Sequence, residues 1–127
     1  MAIQELTSLA GRLSSGELSS VELTQFYLDR ISRAGDLNTF ITVDQEYSLA
    51  QARESDERRA KGEVLSPLDG IPIAHKDIFC TKGMLTSCGS RILENFISPY
   101  DAAVIERFNN SGAVILGKTN MDEFAMG

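Results

Sequence analysis

Lys76 closes the apolar run Ile71-Pro72-Ile73-Ala74-His75 and is followed by Asp77 and, further on, by the small polar stretch Thr86-Ser87-Cys88-Gly89-Ser90. A lysine that emerges from buried β structure is poorly solvated, and burial lowers its pKa because it penalises the charged form. The neutral amine that results can act as a base. The competing reading is a surface lysine paired with Asp77. His75 sits one residue away, so strand alternation points it to the opposite face and makes it a poor partner for Lys76.

A second lysine sits in a sequence with a different suggestion. Gly112-Ala113-Val114-Ile115-Leu116-Gly117-Lys118-Thr119 satisfies the G-x-x-x-x-G-K-[ST] pattern of a phosphate-binding loop, in which Lys118 would reach the phosphates and Thr119 a magnesium ion. The context contradicts it. Such a loop follows a strand and presents backbone amides between its glycines, whereas here a helical pattern precedes Gly112 and the intervening residues are Ala, Val, Ile and Leu. Those four residues suit a strand, so a helix-glycine-strand-turn unit is expected instead.

Other chemistry is sparse. Cys80 and Cys88 are too few for a disulfide framework and are expected to be reduced structural thiols; the single His75 leaves no zinc ligand set, and no metal site is expected. With 18 acidic and 12 basic residues the net charge is -6, and the arginines near residue 55 alternate with acids, so this segment is not expected to grip a phosphate backbone. No run is apolar enough to span a membrane and the N-terminus does not read as a secretory signal, so the chain is expected in the cytoplasm without membrane attachment.

These residues need a scaffold, and 127 residues with 43% apolar content suit one globular unit. Ile3, Leu6, Leu9, Ala10 and Leu13 recur at helical spacing up to Gly16. A second helix starts at Ser19, where Glu22 completes a capping box and Leu18 can staple against Leu23; Gly35 is its expected left-handed stop. A third runs from about Asp44 to Gly62, with Glu54/Arg58 and Glu57/Lys61 spaced as i,i+4 pairs on a solvated face. Leu68-Asp69-Gly70 then reads as a turn leading into a short strand, and helical periodicity is lost until Asp101, the expected cap of a helix that ends at Gly112. Ala113 to Leu116 reads as a strand buried on both faces, and Thr119 with Asp122 as the cap of a last helical turn, Met121 to Met126. Helices, strand, irregular segment, helix and strand together indicate an α/β protein with an N-terminal helical layer. A chain that stops at Gly127, one turn into a new helix, reads as truncated.

Taken in order, Leu68-Asp69-Gly70-Ile71-Pro72-Ile73-Ala74-His75-Lys76-Asp77, Thr86 to Ser90, Ile92-Leu93-Glu94-Asn95, Pro99-Tyr100-Asp101-Ala102 and Gly117-Lys118-Thr119-Asn120-Met121-Asp122-Glu123-Phe124-Ala125-Met126-Gly127 closely resemble the amidase signature family. Within it the likeness is greatest to the glutaminase subunits of tRNA-dependent amidotransferases. The resemblance implies an α/β fold in which N-terminal helices, about residues 1–62, precede part of the family's mixed β-sheet core with flanking helices, about 63–127. All of it would be the N-terminal part of a single, truncated amidase domain.

By the same resemblance, Lys76 corresponds to the lysine of a Ser-Ser-Lys triad, accepting a proton through a bridging serine while a second serine attacks an amide carbonyl. Both serines fall outside residues 1–127, so the chain alone is expected to be inactive. Thr86, Ser87 and Gly89 either shape the backbone near the triad or simply form a turn. Met121, Asp122 and Glu123 either wall the pocket or cap a helix, and Met121 and Gly127 are the candidates for contact with substrate. The implied activity is hydrolysis of glutamine to supply ammonia for ATP-dependent amidation of glutamate mischarged on tRNA(Gln), or of aspartate on tRNA(Asn). ATP and magnesium would serve the complex at a B subunit, with no cofactor on this segment. The partners would be B and C subunits in a heterotrimer, with mischarged tRNA reached through the complex. Two alternatives stay open: an amidase acting on a simple amide, and a nucleotide-binding fragment built on Lys118.

Overall fold

The structure, a computed structural model, describes residues 4–127. Helix α1 covers Leu6–Ser14 and buries Leu9 and Leu13; Ile3, expected on the same helix, lies outside the described residues. Helix α2 covers Ser20–Arg33. Its start is the predicted capping box, with Ser19 accepting from the Glu22 amide and Glu22 accepting from the Ser19 amide. Leu18 and Leu23 are buried in one cluster with Leu9, Leu13 and Ile71, so the first two helices share a core with the residue that leads into the central β structure.

The predicted stop at Gly35 is not observed. Gly35 has an ordinary φ and opens a short 3₁₀ turn, Gly35–Leu37, and the left-handed residue is Asn38 (φ 51°). Asparagine tolerates that conformation better than most residues, which lets the chain turn three residues later than expected. It then enters strand β1, Phe40–Thr42, a short element ahead of the expected third helix.

Helix α3, Gln45–Ala60, starts at Asp44 as predicted, with the Asp44 carboxylate accepting from the Tyr47 amide. Its charged face is not merely solvated. Asp56 accepts from the amides of Ser20 and Val21 at 2.7 and 3.0 Å, satisfying donors that the first turn of α2 would otherwise leave open. Arg58 grips the fully buried carboxylate of Asp69 through Nε and Nη2, and Arg59 donates to the Asp69 carbonyl. The expected Glu54/Arg58 and Glu57/Lys61 pairs do not form among the described residues, the first because Arg58 has found a buried partner across the fold. Burial pushes the Asp69 carboxyl up, but hydrogen bonds from Arg58 and from the Leu65 amide outweigh it and hold the carboxyl below its ordinary value.

Strand β2 is Pro72–Lys76, and after a long irregular stretch helix α4 covers Ala103–Ser111. Asp101 does not cap α4: its N-cap is Ala102, and the Asp101 carboxylate instead accepts from the Lys82 amide and from Asn109. Gly112 ends α4 with φ 81°, as expected. Strand β3, Val114–Thr119, is buried on both faces over its first five residues and lies at the centre of a three-stranded sheet in the order β1-β3-β2. The pairing is parallel to β2 and antiparallel to β1. Opposite the Ile73/Ala74 step, β3 carries an extra residue, Leu116, and at this bulge helix α3 takes over the ladder: Gln51 accepts from the Ile115 amide and Ser48 donates to the Ile115 carbonyl. The last predicted helical turn is a single tight turn, Glu123–Ala125, in which Phe124 and Ala125 have φ of 50° and 58° and Asp122 makes no side-chain cap. Left-handed residues there prevent a right-handed helix from starting.

Candidate active site at the end of β2

Two parallel strands end side by side, with Lys76 of β2 in register with Thr119 of β3. In α/β sheets the crevice beyond the carboxyl ends of parallel strands is where ligands bind. Lys76 is the last residue of β2, and its side chain, like that of Ala74, is exposed on one face of the strand. Among the described residues its ammonium makes no hydrogen bond or ion pair, so of the competing reading, a surface lysine paired with Asp77, the exposure is observed and the pair is not.

His75 and Asp77 point the other way and are buried, as alternation requires. His75 lies 3.4 Å from the Thr81 hydroxyl through Nε2, and burial lowers its pKa, with the nearby Lys118 adding to the effect. Asp77 meets Lys118 there, Oδ1 to Nζ 3.2 Å, with both side chains fully buried. The desolvated lysine is therefore Lys118, whereas Lys76, read from sequence either as desolvated or as a surface residue, is exposed in this chain. Burial lowers the Lys118 pKa, and the Asp77 carboxylate works against that shift.

The pair organises the small polar stretch that follows β2. Asp77 Oδ2 accepts from the Ser87 amide at 3.0 Å, from the Ser87 hydroxyl at 2.6 Å and from the Gly89 amide at 3.4 Å. Lys118 donates to the Thr86 hydroxyl at 2.7 Å and to the Leu85 carbonyl at 3.4 Å. Thr86 and Ser87 thus do more than form a turn: they dock the loop onto the buried ends of β2 and β3. Gly89, with φ 66°, packs so closely on the Met121 carbonyl that an added Cβ would sit 2.7 Å from it. Glu123 accepts from Ser90 at 2.6 Å, and the Phe124 amide donates to the Cys88 carbonyl, so residues 121–124 brace this loop from the side of β3.

Met121 lies two residues beyond the register partner of Lys76 and is half-buried, whereas Gly127 is exposed beside Asp122. Neither lines either of two hollows in the fold. A hollow of about 260 Å³ opens between Ile41, Leu85, Ser87, Gly89, Ser90, Arg91, Glu94 and Asn120, on the same loop that Asp77 anchors. A larger one, about 430 Å³, lies across β1 between Tyr27, Arg30, Ile31, Thr39, Phe40, Val43 and Leu116, away from Lys76 and the loop that Asp77 anchors.

The phosphate-loop reading does not fit this geometry. Val114 to Thr119 is strand, and the Lys118 ammonium that would reach phosphate is spent on Asp77 and Thr86 inside the protein. Cys80 and Cys88 are free thiols, and among the described residues no three His, Cys, Asp or Glu side chains converge as a metal site. Among the described residues no helix is long and apolar enough to cross a membrane.

What sequence reasoning missed is the pairing of Asp77 with Lys118. Part of the signal was available, because the alternation that turns His75 away from Lys76 must turn Asp77 to that same buried face. Lys118, the register partner of His75, meets it there. The match of Lys118 to a nucleotide-binding pattern suggests a solvent-facing ammonium instead.

The family profile described as Amidase matches residues 22–127. The chain is 62% identical to the A subunit of glutamyl-tRNA(Gln) amidotransferase from Methylobacillus flagellatus, covering 100% of this chain and 26% of that protein. It is 66% identical to the protein of the same name from Methylococcus capsulatus, covering 96% of this chain and 25% of that one. It therefore spans about a quarter of the length of the curated relatives it matches. Among solved structures, the native peptide amidase from Stenotrophomonas maltophilia superposes with a TM-score of 0.91 at 38% identity, over 97% of this chain and 26% of that enzyme.

Proposed function

The chain belongs to the amidase family, and from that premise we propose that it supplies the catalytic lysine, Lys76, of a glutamine-hydrolysing amidotransferase subunit. The observation that carries the reading is the placement of Lys76: a side chain with no partner among the described residues, at the carboxyl end of β2, whose chain neighbour Asp77 anchors the loop that follows. In a protein of the relatives' length, the amine of Lys76 takes the proton of a bridging serine. That serine takes the proton of a second serine, whose oxygen attacks the glutamine side-chain carbonyl; the C–N bond breaks as the proton held by Lys76 is relayed to the departing nitrogen, which leaves as ammonia. The resulting ester is then hydrolysed to glutamate. Relatives that carry the name of the A subunit of glutamyl-tRNA(Gln) amidotransferase support this over a free-standing hydrolase.

Ammonia then passes to a B subunit, which uses ATP and magnesium to amidate glutamate mischarged on tRNA(Gln), with aspartate on tRNA(Asn) as the second substrate class. A C subunit completes the heterotrimer, and this segment itself holds no cofactor. Met121 and Gly127 are carried forward as candidates for the wall of the substrate pocket. The 38% identity to a peptide amidase favours one rival, a hydrolase of simple amides that would share Lys76 and need no tRNA.

One experiment separates these readings. In the full-length protein assembled with B and C subunits, Lys76→Ala abolishes glutamine-dependent amidation while transfer from free ammonia persists. Equal loss of both activities with folding preserved counts against the reading, and failure of the unaltered protein to support amidation with a B subunit favours the simple amidase.

A further inference from the structure

Lys118 and Asp77 form a buried ion pair that proton transfer by Lys76 does not itself require. Both side chains are fully buried. Such a pair is weak grounds for stability, because apolar residues of similar volume often serve a core as well. Its geometry has a clearer consequence. Asp77 Oδ2 holds Ser87 and Gly89 through three hydrogen bonds, whereas Oδ1 receives no hydrogen bond and has the Lys118 ammonium 3.2 Å away. Lys118 in turn holds Leu85 and Thr86. Together the two side chains gather residues 85–89 onto the end of β2, and the Asp77 amide, bonded to the Thr119 carbonyl, locks the backbone where Lys76 leaves the strand.

We propose that Lys118 is a positioning residue for amide hydrolysis: it holds the Asp77 carboxylate inside the protein, and Asp77 fixes both the exit of Lys76 and the loop Leu85–Gly89 beside it. The inference rests on the assignment of Lys76 as the base. Without the ammonium, Asp77 is a buried carboxylate with one oxygen wholly uncompensated, and it relaxes by leaving its face of β2. Because Lys76 is its chain neighbour, that movement carries the base with it. Misplacement of a reacting group by about 1 Å can cost on the order of a hundredfold in rate.

The test uses the full-length protein in its complex, with glutamine hydrolysis and ammonia-dependent transfer measured on every variant. Lys118→Met lowers kcat for glutamine hydrolysis by about a hundredfold, changes kcat more than KM, and spares transfer from ammonia. In the Lys118→Met background, Asp77→Asn removes the stranded charge yet keeps an oxygen for Ser87, whereas Asp77→Ala removes the anchor. The asparagine double variant hydrolyses glutamine at least about tenfold faster than the alanine one. Equal rates of the two double variants overturn the proposal, and they decide it even if the single Lys118→Met variant does not fold. Wild-type kcat in Lys118→Met, with Lys76→Ala inactive, overturns it while the assignment of Lys76 stands. Full glutamine hydrolysis by Lys76→Ala instead removes that assignment.

Discussion

Asp77 follows Lys76 in the chain, yet its carboxylate turns to the opposite face of β2, where Oδ1 lies 3.2 Å from the Nζ of Lys118. Adjacent residues at one strand end thus divide the work, one facing the open end of the sheet and the other anchoring it from beneath. The shortest contact that Lys118 makes in the anchor is with the Thr86 hydroxyl, 2.7 Å and buried. Thr86→Val keeps the shape and removes the acceptor, leaving a buried ammonium under-bonded. It should cost about 2 kcal/mol, read as a lower thermal midpoint of the full-length protein. An unchanged midpoint would show that Thr86 contributes nothing to holding the ammonium.

A phosphate loop built on Lys118 does not fit the same geometry. A phosphate-loop lysine must reach solvent and phosphate, and Lys118 reaches neither, because it points from a strand into a sealed ion pair. Calorimetric titration of the full-length protein, separated from its partners, with magnesium-ATP should give no binding that Lys118→Met removes. Tight binding lost in that variant would mean that β3 opens into a loop.

The parts of this fold written in short stretches of sequence were readable there. Ser19 and Glu22 cap α2 with groups three residues apart, Asp44 caps α3 through Tyr47, and Gly112 stops α4, so each is legible without knowing the rest of the chain. Long-range partners were not. The three residues of β1 are strand only because β3 passes beside them, and Asp56 and Arg58 look like solvated charges until Ser20 and Asp69 are brought to them. At the site, the apolar run Ile71 to His75 pointed to a lysine at a strand end, and the strand end is there. The side chain of Lys76 is exposed, and burial fell on Lys118, because the face each residue takes is set by the bulged pairing of β2 with β3 rather than by apolar neighbours in sequence.

Two glycines distinguish a required conformation from a permitted one. At Gly112, φ is 81° and an added Cβ would lie 2.5 Å from the Asp69 carboxylate that Arg58 grips, so both backbone and space forbid a side chain. Gly35 has an ordinary φ and nothing within 4 Å of an added Cβ. Gly112→Ala should therefore destabilise by about 2 kcal/mol or more, whereas Gly35→Ala should be neutral or stabilise by about 0.5 kcal/mol by restricting the unfolded chain. Thermal midpoints of the two variants check this, and a comparable loss at Gly35 would restore it as the left-handed stop of α2.

His75 gives the fold a pH dependence with a definite sign. Burial lowers its pKa below the ordinary 6.5, the Lys118 charge pushes the same way, and the carbonyl of Lys76 and the carboxylates of Asp77 and Asp101 oppose without prevailing. The unfolded chain then binds a proton at a pH where the folded chain does not, so protonation favours unfolding. The stabilisation is complete above about pH 6.5 and is lost as pH falls from there through the folded value. His75→Gln keeps a polar side chain beside Thr81 but cannot titrate, so between about pH 6.5 and about pH 5 its stability should fall less steeply than that of the unaltered protein. Denaturant midpoints of the full-length protein measured across that range test it. Parallel curves for the two proteins would mean that His75 takes up its proton equally well folded and unfolded, and that the face it shares with Asp77 is open to water.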